Sequence, residues 1–375
     1  MKLFHLSDLH IGKNLDGISM LDEQRHVFSQ IIAYIKTHSP DAIVIAGDIY
    51  DKPIPGVDAV RVFDDFLTAL SELGVATMII AGNHDSPERI NFASRLLLDK
   101  GLFLCGGYNG NIPKITLSDE YGDVHFWLLP FIKPSSLRGI HNEPVETHEE
   151  AVAAALAHSD IDYDARNILI SHQFYTKAGV SPVRSDSELD PVGGLDAVSA
   201  GIVDNFDYVA LGHLHGAQSV GDAHIRYCGS PIKYSFSEWQ HHKSITMAEL
   251  KEKGDLTITP LPLMPIHDMR AIKGDLEQVL TVEGDSDNYL WVTLTNEEEI
   301  MDPMEKLRSR YPNILRMDYE NTRTSIDINT ITSNIEAIES LSTYDLFEEF
   351  FLKVQGSAMS REQGEIVRQL LEVEP

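Results

Sequence analysis

Residues 42–51 read Ala-Ile-Val-Ile-Ala-Gly-Asp-Ile-Tyr-Asp, five apolar residues that run into a glycine and then a carboxylate, Asp48, with Asp51 three positions on. An apolar run that short, closed by a turn former, fits a buried strand; a helix needs roughly ten residues and a helical period. The strand therefore delivers its acids at its carboxyl end, where open α/β sheets place their functional crevice.

The same grammar recurs on both sides. Short apolar runs at Lys2–Leu6, Val75–Ala81, His125–Leu129, Asn167–Ile170 and Tyr208–Leu211 predict further strands. Helical periods lie between them, at Val27, Ile31, Tyr34 and Ile35, and again at Val57, Val60, Phe63, Phe66, Leu67 and Leu70. Thr147 and Glu150 stand in capping-box spacing ahead of another helix. Strands alternating with helices predict a layered α/β domain.

All of these strands except the one ending at Leu129 lead into metal-capable residues. The first gives Asp8 and His10, the second Asp48 and Asp51, the third Asn83, His84 and Asp85. His172 follows the fifth and His213 with His215 the last. Singly, such residues are more often turn formers, helix caps or solvated side chains, and Gly47, Gly82 and Gly212 would merely mark turns. Together, in order and each after a strand, they predict a two-metal centre. Two divalent ions ~3.5 to 4 Å apart clamp a phosphate and activate water, which requires a carboxylate between them. Asp48 is the predicted bridge. Mixed imidazole, carboxylate and amide ligands suit manganese, iron or zinc better than magnesium, and the absence of cysteine ligands argues against a structural zinc site.

The chain has 375 residues, 58 acidic against 30 basic, for a formal net charge of −28. Acidity at first sight opposes DNA binding, since phosphate grip usually needs a basic surface. Part of the acid is ligand, however, and residues 266–375 hold 23 acids against 10 bases, so DNA remains admissible as a substrate bound weakly by this chain alone. Cys105 and Cys228 form no CxxC pair and read as buried thiols. No signal-peptide core or membrane-length apolar run is present, and the chain reads as soluble and cytoplasmic.

Fifteen of the 16 histidines precede residue 265, and Pro260, Pro262 and Pro265 punctuate a boundary there. The predicted division is 1–265 for the catalytic domain, 266–320 for a small α/β unit, 321–340 for a connector and 341–375 for a helical tail. In the second unit Tyr289–Thr295 alternates as a strand, and Asp302, Pro303 and Glu305 mark a helix start. In the tail Leu346, Phe347, Phe350, Phe351 and Val354 form one stripe, Gly356 breaks the chain, and Ser360 with Gln363 caps a helix carrying Ile366, Val367, Leu370 and Leu371.

The ordered motifs DxH, GDxxD, GNH plus an acid, a separate His, and GHxH resemble those of the calcineurin-like metallophosphoesterases. The wider segments 82–89, 207–215 and 227–238 resemble the DNA end-processing nucleases of that family, and the likeness extends over essentially the whole chain. It implies a two-sheet sandwich flanked by helices, with a small capping domain and a C-terminal helix-loop-helix. One metal would be held by Asp8, His10, Asp48 and His215, and the other by Asp48, Asn83, His172 and His213. Manganese is the implied metal. His84 would contact the scissile phosphate or protonate the leaving group, with Asp51 orienting it. Related archaeal and eukaryotic nucleases carry histidine where Asp51 stands, so no second catalytic histidine is implied here.

The resemblance further implies exonuclease action on duplex ends and endonuclease action on hairpins or single strands, regulated by an SMC-like ATPase partner. The chain itself contains no GxxxxGK[ST] loop. It implies a homodimer through the helices around Val57–Leu73 and Ile90–Leu98, which otherwise simply cover the sheet, and a tail docked on the partner's coiled coil. The loop Tyr175–Leu195, with Gly193 and Gly194, reads as a substrate-facing flap or an idle surface loop. Two other functions compete: a phosphoesterase of small phosphodiesters or nucleotides, and an inactive scaffold, which the intact ligand set disfavours.

Overall fold

The computed structural model describes residues 1–140, 144–177, 182–188, 196–284, 286–322, 324, 343–355 and 358–371. It divides into two compact units, Met1–Asp268 and Met269–Pro375.

In the first unit β1 (Lys2–Leu6), β2 (Ala42–Ala46), β3 (Ala76–Ile80) and β4 (Leu102–Cys105) run parallel as neighbours. The second sheet contains β5 (Lys114–Asp119), β6 (Gly122–Leu129), β7 (Arg166–His172), β8 (Tyr208–Gly212), β9 (Gln218–Val220) and β10 (Asp222–Tyr227), in the order β9-β10-β8-β7-β6-β5. The first sheet is completed by β11 (Ser244–Leu250), antiparallel to β1, and β12 (Leu256–Pro262) at its edge. Pro260 and Pro262 lie in that edge strand rather than in a linker, and an edge is where a sheet tolerates a residue without an N–H.

Between the sheets Leu3, Val44, Ala46, Met78 and Ile80 meet Val124, Phe126, Leu128, Ile168, Ile170 and Ala210. All five residues of β2 are fully buried. Complete burial of each Val or Ile side chain stabilises by roughly 1.5–3 kcal/mol. The outer face of the second sheet, with Trp127, Leu169 and Leu211, is covered by α3 (His148–Ala157) through Ala151, Val152 and Ala155. That helix starts with the predicted capping box: Thr147 Oγ1 accepts the Glu150 N–H at 3.1 Å and Glu150 accepts the Thr147 N–H at 3.1 Å. On the other side α1 (Leu21–His38) and α2 (Val57–Leu73) pack together, with Phe28 stacked on Phe66 at 4.5 Å. The helices cover a sheet sandwich whose parallel strands deliver their carboxyl ends to one edge.

The second unit contains a parallel sheet of β13 (Met269–Gly274), β14 (Tyr289–Leu294) and β15 (Ile314–Tyr319), covered by α4 (Leu276–Thr281) and α5 (Pro303–Arg310). Asp302 precedes α5 as expected but does not cap it with its side chain, because its φ of 48° is left-handed instead of extended. Two further helices follow, α6 (Thr343–Gln355) and α7 (Arg361–Leu371). Ser360 and Gln363 form the expected reciprocal cap, at 2.8 and 3.2 Å. Most of the connector 321–340, with Gly193, Gly194 and Gly356, lies outside the described residues, and nothing is described of the Val354 side chain.

Candidate metal centre

Two loops begin the site by continuing the pairing of β1 and β2 past their ends. The Asp8 N–H donates to Gly47 O at 3.0 Å, His10 N–H to Asp48 O at 3.0 Å and Ile11 N–H to Ile49 O at 2.9 Å. Asp8, His10, Asp48 and His213 all have positive φ, of 52°, 40°, 50° and 106°. Such conformations cost non-glycine residues of order 1–3 kcal/mol and persist where the surrounding structure holds them. The strain was invisible in sequence, because none of these positions is the glycine that announces a left-handed turn.

The motif glycines have a second purpose, close approach. A Cβ on Gly47 would collide with the His172 ring, one on Gly82 with the Asp48 carboxylate, and one on Gly212 with the Ala46 carbonyl. Asp85 ties the loops together by accepting the N–H groups of Ile49, Tyr50 and Gly82 at 3.0, 3.0 and 2.9 Å. Asp85, expected among the metal-capable residues, instead serves the main chain, a role that no sequence pattern announces. Asp8 accepts the His213 N–H at 3.0 Å, which joins the first sheet's loop to the second's.

Every predicted ligand reaches the same edge of the sandwich. Asp48 Oδ2 lies 3.6 Å from His10 Nε2 and 3.3 Å from His172 Nε2. On one side His10 Nε2 and His215 Nε2 face each other at 3.1 Å. On the other, Asn83 Oδ1 lies 3.0 Å from His172 Nε2 and 3.1 Å from His213 Nδ1. Three overlapping groups bring potential donor atoms within 4.8 Å of one another: Asp8, His10 and His215; His10, Asp48 and His84; Asp8, Asp48 and His172. Buried carboxylates and facing ring nitrogens concentrate lone pairs in a small volume, and such an oxygen and nitrogen set fits divalent transition ions.

Residues 1–217 match the calcineurin-like phosphoesterase family. Residues 265–355 match a domain family, SbcD_C, described as type 5 capsule protein repressor C-terminal domain. The chain is 30% identical over 381 residues to the SbcD subunit of nuclease SbcCD from Staphylococcus saprophyticus subsp. saprophyticus, covering 99% of this chain and 98% of the relative. It is 31% identical over 378 residues to the protein of the same name from Staphylococcus epidermidis, with coverage of 99% and 98%. The chain belongs to the SbcD family of calcineurin-like phosphoesterases. A fainter likeness, TM-score 0.41 at 12% identity over 70% of this chain and 96% of the other, is to a solved dimetal phosphatase from Danio rerio.

The SbcD-family site is electrostatically divided. Burial pushes Asp8 up to about 6 and His213 down to about 3, and it drives His10 well below the usual histidine range. Burial would lower His172 too, but the charge and hydrogen bond of Asp48 carry it up to about 9. In the metal-free protein a proton on His172 thus answers the Asp48 charge.

His84 is half-buried and stands edge-on to His10, with ring centroids 4.8 Å apart. Its Nδ1 bonds the Asp51 main-chain carbonyl at 3.0 Å, which leaves Nε2 as the free ring atom. The Asp51 carboxylate is paired with Lys13 Nζ at 2.9 Å and lies 4.0 Å from His10 Nδ1. The Asp51 peptide oxygen and the edge-on His10 ring orient His84.

Proposed function

We propose that this chain is the catalytic subunit of a DNA end-processing nuclease, a two-metal phosphodiester hydrolase. The observation that carries the reading is the position of Asp48 Oδ2, within 3.6 Å of a ligand ring on each side, where a bridging carboxylate belongs. Asp8, His10, Asp48 and His215 would hold one ion; Asp48, Asn83, His172 and His213 would hold the other. Manganese is the proposed metal. When bound, the ions supply Lewis acidity toward the phosphate and an activated water.

The protein's own contribution is orientation and proton transfer. Loops from both sheets fix the ligand rings before any substrate arrives, so little reorganisation is left for the reaction. His84, anchored through Nδ1, presents Nε2 to the phosphate; protonated there, it donates to the departing oxygen. The relatives are named as nuclease subunits of SbcCD, which favours DNA over small phosphodiesters as the substrate. Duplex-end exonuclease and hairpin or single-strand endonuclease activity are proposed on the same ground.

The partner we propose is an SbcC-type SMC-like ATPase, bound by α6 and α7. Tyr344 and Gly364 bring these helices into contact, and Phe347, Phe350, Ile366 and Leu370 are exposed on them. A homodimer is proposed through α2 and the segment after it. Val62, Phe63, Phe66 and Leu70 of α2 are buried, as a sheet-covering helix requires, but Val57, Phe92 and Leu96 are 69%, 80% and 79% exposed. No helix among the described residues is long and apolar enough to cross a membrane.

A manganese-supplemented assay on free-ended and end-blocked duplex, with and without the ATPase partner and ATP, tests the reading. Cleavage of free ends that requires manganese is expected. Turnover of cyclic nucleotides with no cleavage of duplex DNA would overturn it.

A further inference from the structure

The segment Ser235-Phe-Ser-Glu-Trp-Gln-His-His-Lys243 contains none of the ligands, yet it grips one of them. Glu238 is fully buried and its Oε2 lies 2.5 Å from Lys243 Nζ. Its other oxygen lies 3.0 Å from His215 Nδ1 and accepts the Ser187 hydroxyl at 2.6 Å. Lys243 also donates to the His215 carbonyl at 2.9 Å and to Ser230 Oγ at 2.8 Å. Glu188 accepts the His215 N–H at 2.7 Å, so both the ring and the main chain of His215 are held.

An imidazole can offer a lone pair to a cation at one nitrogen only when its proton sits on the other. The Ser187 oxygen also lies 2.8 Å from Nδ1, but its proton is given to Glu238; because an ionised carboxylate accepts and cannot donate, Glu238 leaves both groups as acceptors and so selects the tautomer with the proton on Nδ1. Nε2, which faces His10, is then the atom left for a metal. A lone buried carboxylate is strongly disfavoured, and Lys243 offsets that charge without competing for the ring. The contrast with His172 is direct: its Nδ1 bonds a neutral acceptor, the Ala46 carbonyl, at 2.7 Å. A carboxylate behind a ligand ring raises the ring's basicity more than a carbonyl does.

We propose that Glu238, balanced by Lys243, is the positioning residue that sets the affinity of the ion at Asp8, His10 and His215, and leaves the ion at Asn83, His172 and His213 little affected. The proposal rests on the two-ion reading above and assigns the two positions different second partners. Glu238 touches no substrate; it acts through His215.

Calorimetric titration of the full-length chain with Mn²⁺ tests it without reference to nuclease activity. The wild type is expected to bind two ions. Glu238→Ala should weaken one of them by ~10- to 100-fold, the usual cost of losing such a support, and leave the other within about threefold. Glu238→Gln keeps an oxygen opposite Nδ1 and should retain more affinity than the alanine variant. In both variants, electron paramagnetic resonance at one equivalent of Mn²⁺ should give the hyperfine spectrum of an isolated ion. If Glu238→Ala does not fold, the Gln variant decides, with about tenfold loss at one ion expected. Wild-type affinities in the variants, or equal losses at both ions, would overturn the proposal alone. A wild type that binds no Mn²⁺ would overturn the two-ion reading and this proposal with it.

Discussion

His84 is held by Asp51 through the peptide carbonyl, at 3.0 Å from Nδ1, and not through the carboxylate. The two functions of Asp51, orienting His84 and pairing with Lys13, are therefore carried by different atoms and separable by mutation. His84→Ala should retain both ions in elemental analysis and lose ~10²- to 10⁴-fold in turnover, the usual range for a lost general acid. Asp51→Asn keeps the carbonyl and should cost less than His84→Ala. Equal losses in kcat would show that the Asp51 carboxylate is needed after all.

Metal binding should release protons and weaken in acid. His172 is raised to about 9 and Asp8 to about 6 in the metal-free site, so a dication meets a protonated His172 at neutral pH. The sign follows: affinity is highest above pH 9 and falls by about tenfold per pH unit while His172 alone takes a proton, then more steeply as His215, raised by its Glu238 partner against the effect of burial, and Asp8 are protonated in turn. Titrations at neutral pH in buffers of different ionisation enthalpy should register that proton. Affinity that stays flat between pH 6 and 9 would contradict the pairing of His172 with Asp48.

Gly82 leaves no room for a methyl group beside the Asp48 carboxylate. Gly82→Ala should destabilise the fold by about 1–3 kcal/mol, as overpacking does. Because Asp48 is proposed to touch both ions, this variant should lose both together, in contrast to Glu238→Ala. Calorimetric Mn²⁺ titration and a thermal melt would check the two effects separately.

Phe92 and Leu96 are among the most exposed large apolar side chains of the first unit. Replacing both by Glu should convert the proposed homodimer to monomer by light scattering at micromolar concentration, with the melt unchanged within a few degrees. A wild-type chain that is already monomeric would refute the dimer.

Removing the tail from Ser342 onward should abolish capture of the ATPase partner and leave manganese-dependent cleavage intact. Retained pull-down would place the contact elsewhere.

Much of the site was legible because strands announce their own ends. Ala42–Ala46 and Lys2–Leu6 were readable to the residue, and Asp48 and Asp8 follow directly from where those strands stop. Helix caps with paired side chains, Thr147 with Glu150 and Ser360 with Gln363, were equally plain. The antiparallel edge was less so: Leu256–Pro262 has a single buried residue and two prolines, and looks like a connector until a neighbouring strand pairs with it. Glu238 and Lys243 were unreadable for another reason. Buried charges resemble surface charges in a sequence, and only the three-dimensional neighbourhood shows that they answer each other and His215.

The ligands come from strand ends on two different sheets, the earliest at Asp8 and the last at His215. A growing or truncated chain that stops short of His215 lacks a complete site, however well its first sheet has formed. Catalytic competence thus waits for the second sheet, whose strand β8 must be made before His213 and His215 can join the site. For a hydrolase this makes the fold its own safety catch: fragments from stalled translation or proteolysis carry pieces of the blade but no edge.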